Sequence, residues 1–597
     1  MLGNEAIARG LVEAGCAVAT AYPGTPSSEI LPAVARFRAD EKLGGHVQWA
    51  VNEKVAFEIA YAASISGLRA AVSMKQVGLN VASDPLMSAA YMGAKGGFLV
   101  ISADDPGPHS SQTEQDSRLM AMMAKIPVLD PASPLQAKQM VAAGFRLSEE
   151  FSIPVLLRPT TRVCHSRQDI ELSVPAPCEL NPDYRKDPLR WAATPKFRFK
   201  LHGELEDKLA RIAGWEATRP VQLNRARGGS LAVVASGVAA AHAAEIFKAL
   251  GLWENLPLYQ VLQPYPLHTD FCRKILESCE SVLVLEETTG VIEMQLASRG
   301  QVRGKLSGDV PSVGEILPED IEQIVAGFAG VKVAARRIQQ APGRRPTLCA
   351  GCPHRAAFFA IKKAAPKGVY PSDIGCYTLG LNLGAVDTVL CMGAAVSQAA
   401  GFHHALKNRA KQPPIVATIG DSTFFHSGIA PLVDSVVQKV PFVLVILDNS
   451  TTAMTGNQPT AASGWGVNGE SLARVDLAAV VKGCGVGFCR QADPYAIKEF
   501  AALLKEALAY CRDHGPAVVI SKRPCLLDLR RRGGNWEPKQ VVVTEACDGC
   551  GFCVTQFECP ALVLAEGDKQ VVLDTMVCTG CGVCVEVCPK KALEVVG

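Results

Sequence analysis

The 597-residue sequence has neither a long apolar run nor an excess of charge of one sign. No eighteen consecutive residues are apolar, so no transmembrane helix is expected. The opening MLGNEAIARG carries Asn, Glu and Arg where a secretory signal needs an apolar core. With a net charge of only +2, the chain has no basic excess to bind nucleic acid or an anionic membrane. We therefore expect a cytoplasmic protein that binds neither nucleic acid nor membrane.

Several common motifs are also missing. The sequence contains no Walker A run, no helical repeat and no low-complexity tract. The glycine-rich GCGVG at 483–487 lacks an acidic ribose partner on a following strand, which argues against a dinucleotide site. Disulfides are not expected either, because eight of the 21 cysteines fall within residues 547–588 and are not spread as a framework. The cysteines therefore indicate a reducing compartment and a localised metal chemistry.

What the sequence does contain is typical of a large globular protein. Apolar residues make up 48% and charged residues 20%, and the length suggests several domains of roughly 100–200 residues each. Short apolar runs rich in β-branched residues alternate with helical patterns, as in α/β proteins with parallel sheets. The predicted buried strands are Phe98–Ile101, Val155–Leu157, Leu231–Val234, Val282–Leu285, Ile415–Ile419, Phe442–Leu447 and Val518–Ile520.

Changes in composition predict the domain boundaries. Residues 176–230 are polar, contain prolines and have no strand signal, so they are typical of a linker. Further breaks fall in AARRIQQAPGRRPT (334–347) and RRRGGNWEPKQ (531–540). The predicted segments are a first domain at 1–180, a linker at 181–230, and further domains at 231–335, 336–535 and 536–597.

The carboxyl-terminal cysteines form two runs with iron–sulfur spacing. One run is C-x-x-C-x-x-C-x-x-x-C-P, the bacterial ferredoxin pattern, and the other has two extra residues before its last cysteine. In this pattern the fourth cysteine binds the other cluster. We therefore assign one [4Fe–4S] cluster to Cys547, Cys550, Cys553 and Cys588, and the second to Cys578, Cys581, Cys584 and Cys559. Two zinc knuckles are the alternative interpretation.

A ferredoxin module transfers electrons but catalyses no covalent step, so the catalytic residues must lie upstream in the chain. In IVATIGDSTFFHSG (415–428) and VPFVLVILDNSTTAMTG (440–456), a predicted strand ends in an acidic or amide residue. Asp421 and Asn449 would meet at the carboxyl edge of a sheet, where α/β folds bind ligands. Their oxygen atoms suit Mg²⁺. Two ordinary strand-end caps remain the alternative.

This pattern resembles the diphosphate motif of thiamine diphosphate enzymes. The resemblance implies that Asp421, the Asn449 side chain and the Thr451 carbonyl hold Mg²⁺, and that Gly420 and Ser422 lie against the diphosphate. Those enzymes also need a glutamate that activates the aminopyrimidine ring. In WAVNEKVAFEIAYAA (49–63), Glu53 occupies the matching context at the start of a helix, and Glu58 is the alternative carboxylate.

Further segments narrow the resemblance. AYPGTPSSEI (21–30) is similar to the Y-P-x-T-P-S-S element of the 2-oxoacid:ferredoxin oxidoreductases, in which the threonine, here Thr25, faces the keto acid. MKQVGLNVASDPLM (74–87), CMGAAVSQAAGFHHA (391–405) and DNSTTAMTGNQPT resemble the large subunit of the indolepyruvate ferredoxin oxidoreductases. The resemblance implies, in chain order, a pyrimidine-binding domain, a transketolase-C-terminal-like domain, a diphosphate-binding domain and a ferredoxin domain.

The resemblance also frames two open points. Related pyruvate enzymes bind the substrate carboxylate with an arginine after the Phe98–Ile101 strand, where this chain has ADDPGPHSSQ, so His109 or Arg118 could substitute. Four more thiols match ligands of a third, proximal [4Fe–4S] cluster, although free cysteines are often simply buried hydrophobes. They are Cys349, Cys352, Cys376 and Cys525. His354 and His426 flank the same region and are candidates for proton transfer.

The implied activity is the anaerobic oxidative decarboxylation of aryl-pyruvates, such as indolepyruvate or phenylpyruvate, to aryl-acetyl-CoA and CO₂. Thiamine diphosphate, Mg²⁺ and the [4Fe–4S] clusters would be the cofactors, and ferredoxin the electron acceptor. The resemblance further implies a smaller β subunit in an α2β2 heteromer. Two alternatives stay open: a non-oxidative thiamine-dependent decarboxylase, and an electron-carrying subunit whose thiamine domains are relics.

Overall fold

The computed structural model describes residues 1–178, 180–298, 300–334, 345–564, 567 and 569–596. The chain divides into two units, Met1–Gln340 and Ala341–Gly597. Most of the predicted boundary at 334–347 lies outside the described residues. The limits of the individual domains therefore stay predictions.

The first unit begins with a six-stranded sheet in which every pairing is parallel. Its strands are β1 Val18–Ala21, β2 His46–Trp49, β3 Ala70–Lys75, β4 Phe98–Ala103, β5 Val128–Leu129 and β6 Val155–Leu157. Their order is β2-β1-β3-β4-β6-β5. The chain leaves β1 toward one side of the sheet and β3 toward the other, so β1 and β3 flank the crevice at which such sheets bind ligands.

Helices cover this sheet, and they explain why its central strands are almost continuously apolar. β3 and β4 are buried along their whole length, as strands covered on both faces must be. The helices are α1 Gly3–Glu13, α2 Ile30–Asp40, α3 Glu53–Ile65, α4 Gln76–Val81, α5 Ser83–Met92, α6 Ser117–Ala124, α7 Pro134–Phe151 and α8 Thr161–His165.

The segment predicted as a linker is more structured than its composition suggests. It contains two helices, α9 Pro188–Trp191 and the 18-residue α10 Pro195–Ile212, and a short strand, β7 Val221–Gln222. Along α10, Leu201, Leu205 and Leu209 are buried. Their four-residue spacing is a helical signal that the polar composition concealed. The expectation that this segment has no strand was wrong at β7.

The second sheet of the first unit has five strands in the order β11-β10-β8-β9-β7. Its other strands are β8 Leu231–Ser236, β9 Leu258–Val261, β10 Ser281–Leu285 and β11 Val302–Arg303. All pairings are parallel except that of β7 with β9. The surrounding helices are α11 Gly237–Ala249, α12 Thr269–Ser278, α13 Val291–Leu296 and α14 Pro318–Ala329.

The second unit contains a two-stranded and a four-stranded parallel sheet, which together repeat the strand order of the first sheet. Its strands are β12 Pro371–Ser372, β13 Thr388–Val389, β14 Val416–Gly420, β15 Val443–Asp448, β16 Phe488–Ala492 and β17 Ala517–Lys522. The parallel pair β12–β13 lies beside β14 through a bridge between Val369 and Ile415, and β14-β15-β17-β16 follow. The combined order, β13-β12-β14-β15-β17-β16, places the ligand crevice between β12 and β14.

Helices on both faces complete the second unit, and a small iron–sulfur-type tail follows. The helices are α15 Pro353–Ala364, α16 Ala394–Leu406, α17 Asp421–Thr423, α18 Ile429–Val437, α19 Leu477–Gly483, α20 Ile497–His514 and α21 Leu526–Arg531. The tail has the elements β18 Gln540–Val543, α22 Phe552–Thr555, β19 Leu562–Val563, β20 Val572–Leu573, α23 Val583–Val587 and β21 Leu593–Val596. β18 pairs with β21 and β19 with β20, both antiparallel.

The predicted α/β class with parallel sheets is confirmed. Each predicted strand is present, with ends shifted by at most two residues. Within the described part of the chain, no helix is long and apolar enough to cross a membrane.

Candidate active site

The first group of site residues lies at the carboxyl edge of the first sheet. Thr25 follows β1 and Glu53 begins α3, while the segment after β3 runs directly into α4. Because β1 and β3 are adjacent, the segments that leave them border the same crevice. The fold therefore places both N-terminal candidates, Thr25 and Glu53, in elements around this crevice.

Glu53 is fixed by its helix and by a neighbouring glycine. The Asn52 side chain caps α3 by accepting a hydrogen bond from the Val55 N–H (2.9 Å). The Glu53 side chain is buried and lies against Gly78, where an added Cβ would come within 2.5 Å of the Glu53 Oε1 atom. Glu58 is exposed and pairs with Lys54. The buried carboxylate on this helix is thus Glu53.

The loop after β4 is tied down beside Thr25 by Asp105. Its carboxylate accepts hydrogen bonds from the Ser110 N–H (2.8 Å), the Ser111 hydroxyl (2.7 Å) and the Thr161 hydroxyl (2.7 Å). Burial raises the pKa of Asp105, but these hydrogen bonds outweigh it and the pKa lies below its usual value. The Ser110 hydroxyl also reaches the Thr25 carbonyl (3.5 Å).

The structure corrects one candidate for the substrate carboxylate contact. Arg118 is fully buried and bound to two carboxylates, Asp116 (2.8 Å) and Glu286 (2.9 Å). Asp116 and Glu286 neutralise its charge, so it holds the first and second sheets of the unit together and cannot bind a substrate. His109 has a half-exposed side chain 3.3 Å from Glu315.

The second group of site residues lies at the crevice of the second unit. Gly420 ends β14, and Asp421 follows it in a buried position. Gly420 is needed there, because an added Cβ would lie 2.6 Å from the Tyr377 ring. Burial, followed by the negative charge of Asp448, raises the pKa of Asp421 to about 8. A carboxylate in this setting is only fully ionised when a cation is close to it.

The turn after β15, the strand next to β14, brings further oxygen atoms to the same crevice. The Asn449 side-chain oxygen accepts a hydrogen bond from the Thr451 N–H (3.2 Å), which closes a tight turn. The Thr452 hydroxyl donates to the Ser422 hydroxyl (3.0 Å), so this turn contacts the segment that follows β14. Gly420, Asp421, Ser422, Asn449 and Thr451 are thus brought together around two adjacent strand ends.

Asn449 also connects this site to the nearest cysteines. The side-chain amide nitrogen of Asn449 lies 3.4 Å from His354 Nε2. The backbone carbonyl of Asn449 accepts a hydrogen bond from the Cys525 N–H (3.1 Å). Burial lowers the pKa of His354 to about 4, so its ring is neutral at pH 7. His426 is buried in a π-helical turn, Phe424–Gly428, directly after α17, the short helix that Asp421 begins. Such turns are frequent at functional sites.

The four thiols of the third set lie near one another. Burial raises the pKa of Cys376 to about 11, and the charges of Cys349 and Cys525 add to this effect. Burial likewise raises the pKa of Cys352 to about 12, with contributions from Cys376 and Cys349. Because such charge effects weaken with distance, Cys349 and Cys525 lie within electrostatic range of Cys376, and Cys376 and Cys349 lie within range of Cys352.

The tail thiols line two separate cavities. One is lined by Cys547, Cys550, Cys553 and Cys588, and the other by Cys559, Cys578, Cys581 and Cys584. Backbone N–H groups point at three sulfurs, from Val571 to Cys547 (3.5 Å), from Gly580 to Cys578 (3.4 Å) and from Ala592 to Cys588 (3.3 Å). Such bonds stabilise cluster-bound thiolates. The two cavities group the thiols as their spacing does, and the assignment of these thiols to two clusters stays a prediction.

The second cavity joins the tail to the third thiol set. Besides its four tail cysteines, Cys352 and Tyr495 line it. Arg355 is buried beside it and donates hydrogen bonds to the carbonyls of Phe557 (2.9 Å) and Glu558, and to that of Leu348. This guanidinium therefore connects the segment before Cys349 to the segment before Cys559.

These donor sets fit the cofactors that the sequence implies. Among the described residues, no three His, Cys, Asp or Glu side chains converge closely enough to hold a single metal ion. Thiolates around a cubane are further apart, because the body of the cluster separates them, and two cavities lined by four cysteines suit that geometry. The raised pKa of Asp421 and the oxygen atoms of Asn449 and Thr451 suit Mg²⁺ with phosphate and water as further ligands.

Sequence reasoning missed several buried polar residues at these sites. Lys75, at the end of β3, belongs to the segment MKQVGLNVASDPLM, but nothing in the sequence pattern assigns it a role. Asp373, which follows β12, was missed although a polar residue after an apolar run is a usable signal; its carboxylate accepts hydrogen bonds from the N–H groups of Gly393 (3.0 Å) and Ala395 (3.2 Å). Arg355 carries no such signal.

Three family profiles match successive parts of the chain. They describe a thiamine-diphosphate-binding domain of pyruvate flavodoxin/ferredoxin oxidoreductases at residues 9–200, the C-terminal binding domain of thiamine pyrophosphate enzymes at 373–521, and a 4Fe-4S dicluster domain at 539–589.

Curated relatives match over the whole length. The chain is 40% identical to "Indolepyruvate oxidoreductase subunit IorA" of Archaeoglobus fulgidus, 39% to that of Methanothermobacter thermautotrophicus and 38% to that of Thermococcus kodakarensis. Each alignment covers 100% of this chain and 96 to 97% of the relative.

Proposed function

The chain belongs to the family of indolepyruvate oxidoreductase subunits IorA, and from that membership we propose that it oxidatively decarboxylates aryl-pyruvates to aryl-acetyl-CoA. The reaction is R–CO–COO⁻ + CoA–SH → R–CO–S–CoA + CO₂ + H⁺ + 2e⁻. The iron–sulfur clusters accept the electrons one at a time and pass them to ferredoxin. Thiamine diphosphate, when bound, supplies the electron sink for the loss of CO₂.

One structural observation carries this proposal. In the second unit, the Cys525 N–H donates to the carbonyl of Asn449, and Cys352 lines the cavity of four tail cysteines. The diphosphate motif, the third thiol set and the tail thiols are therefore contiguous. A decarboxylase that released an aldehyde would need no such series of thiols, and an electron carrier would not need a buried Glu53.

The residues of the chain have distinct roles in this proposal. Glu53 holds a proton at the ring nitrogen of the aminopyrimidine, and Thr25 faces the keto acid. Asp421, Asn449 and Thr451 hold Mg²⁺, while Gly420 and Ser422 lie against the diphosphate. Cys349, Cys352, Cys376 and Cys525 bind a proximal [4Fe–4S] cluster, and the tail cysteines bind two more in the crossed arrangement described above.

The remaining components come from partners. We propose that this chain has a partner subunit, because the names of the relatives describe them as subunits of an oxidoreductase. The resemblance implies that the partner is a smaller β subunit in an α2β2 complex. Ferredoxin is the acceptor in this proposal. The cysteine distribution favours the reducing cytoplasm as the location of the complex.

The test is an anaerobic assay of the copurified complex. We expect reduction of a low-potential viologen dye that requires both phenylpyruvate or indolepyruvate and coenzyme A. Formation of the aryl-acetaldehyde without dye reduction would instead favour the non-oxidative decarboxylase. Absence of both activities in a complex with a full iron content would favour the electron carrier.

A further inference from the structure

A keto acid bound beside Thr25 needs a cation for its carboxylate. Two buried arginines near the first crevice, Arg118 and Arg158, are already paired with carboxylates of the protein. Arg118 pairs with Asp116 and Glu286, and Arg158 is buried against Asp104 (2.7 Å) and Asp130 (3.4 Å). A buried ion pair of this kind leaves no charge for a ligand. The substrate carboxylate must therefore be bound by another group.

Lys75 lies at the edge of the first sheet where the strand order predicts a ligand site. It is the last residue of β3, next to β1, at the carboxyl edge of the sheet. The loop after β1 lies directly against it, because an added Cβ on Gly24 would come within 2.8 Å of the Lys75 Cβ. Thr25 is the next residue of that loop, and Glu53 lies against Gly78, three positions after Lys75.

The ammonium group of Lys75 is buried without a carboxylate partner. It donates hydrogen bonds to the Ser110 carbonyl (2.7 Å) and to the Ser110 hydroxyl (3.4 Å), and it makes no salt bridge with any acid in the described part of the chain. An ammonium group has three N–H donors, so one remains. Asp105 attracts it, but the Asp105 carboxylate is occupied by Ser110, Ser111 and Thr161.

A buried lysine with no carboxylate partner is unusual, because desolvation of a charge is costly unless a partner compensates for it. Burial lowers the pKa of Lys75 to about 8, so the group is still mostly protonated at pH 7. A purely structural side chain bonded to Ser110 would not need a positive charge. A ligand carboxylate would supply the missing negative charge.

We propose that Lys75 binds the carboxylate of the 2-oxo acid in the crevice beside Thr25. The inference rests on the proposed function for the identity of the substrate. Ser110 orients the ammonium group through its backbone carbonyl, and Asp105 fixes Ser110. Lys75 thus takes the place of the arginine that the pyruvate enzymes carry after the following strand.

The experiment measures binding, so that it does not depend on turnover. The probes are 3-phenylpropionate and its neutral analogue 3-phenylpropanamide, neither of which can be decarboxylated as a keto acid. Each is titrated calorimetrically into the complete complex. A charge-assisted bond predicts that the wild-type complex binds the carboxylate at least about 10-fold more tightly than the amide.

In Lys75→Met, which removes the charge and keeps most of the length of the side chain, the ratio of the two affinities should fall to about one. Lys75→Arg, which keeps the charge, should retain a preference for the carboxylate. Lys208→Met is the matched control. Burial also lowers the pKa of Lys208 to about 8, and its ammonium donates to the Ser152 carbonyl (2.8 Å), away from Thr25.

A Lys75→Met complex that still prefers the carboxylate, or a wild-type complex with no preference, would overturn the inference. Thermal unfolding and iron content show whether each variant is folded. The proposed function is judged separately: if the wild-type complex prefers the carboxylate through Lys75 but reduces no dye with phenylpyruvate and coenzyme A, then the proposed reaction fails and the binding site stands.

Discussion

The backbone N–H of Cys525 donates a hydrogen bond to the carbonyl oxygen of Asn449 (3.1 Å). A thiol of the third set is therefore attached to the turn that supplies a proposed Mg²⁺ ligand. A cluster bound by this thiol set would therefore lie next to the diphosphate motif. It also makes Cys525 the most direct place to test whether that cluster exists.

Cys525→Ser should remove the third cluster and spare the other two. We expect about a third of the iron to be lost and the dye-reducing activity to disappear. Iron analysis and electron paramagnetic resonance (EPR) of the reduced complex measure this. Cys489→Ser is the control, because Cys489 is also half-buried but lies on β16 and belongs to none of the three thiol sets. An unchanged iron content in Cys525→Ser would show that these thiols bind no third cluster.

Cys559→Ser tests the crossed assignment of the tail. Cys559 shares its cavity with Cys578, Cys581 and Cys584, so the substitution should alter the cluster bound by those three. Cys550→Ser should alter the other cluster, since Cys550 lines the other cavity. EPR signals of the two reduced clusters distinguish the variants. If both substitutions changed the same signal, the crossed assignment would be wrong.

Glu53→Gln should abolish turnover without loss of iron. The amide cannot hold the proton at the aminopyrimidine ring, and the loss of such proton transfer typically costs about 100-fold or more in rate. Glutamine has nearly the same size, so the contact with Gly78 is retained. Glu58→Gln, on the exposed face of the same helix, should be as active as the wild type. A fully active Glu53→Gln complex would refute the assignment.

Arg355→Met should destabilise the second unit. The guanidinium is buried and donates to carbonyls on both sides of the cysteine cavity, and its removal leaves them unpaired, at a cost of about 3 kcal/mol or more. The loss of stability is measured by urea unfolding, with the release of iron as the signal.

Arg345→Met is the matched control for Arg355, because Arg345 pairs with Glu558 through a mostly exposed side chain. A pair whose cation is mostly exposed to water is worth about 0–1 kcal/mol, so this variant should resemble the wild type. Equal stability of the two variants would show that Arg355 is not a structural connection between the two segments.

These sites differ in how far the sequence could predict them. Cysteine spacing alone grouped Cys559 with Cys578, Cys581 and Cys584, because cluster ligation requires fixed spacings. The end of an apolar run pointed to Asp421 for a similar reason, since parallel strands bind ligands at their carboxyl ends.

Other features depend on tertiary packing and leave no local pattern. The sequence offered Arg118, beside His109, as a contact for the substrate carboxylate, but Glu286 on a distant segment neutralises its charge. Lys75 is notable only because Gly24 and Ser110 bury it. The helix Pro195–Ile212 was hidden by a polar composition, since only one of its faces packs against the protein.

The central claim is that electrons from the keto acid enter the clusters of this chain. It is tested most directly by EPR of the anaerobic complex frozen after phenylpyruvate and coenzyme A are added. The account predicts reduced [4Fe–4S] signals in the wild type, and none in Glu53→Gln although dithionite still reduces its clusters. Consumption of phenylpyruvate by the wild type with all clusters remaining oxidised would contradict the account.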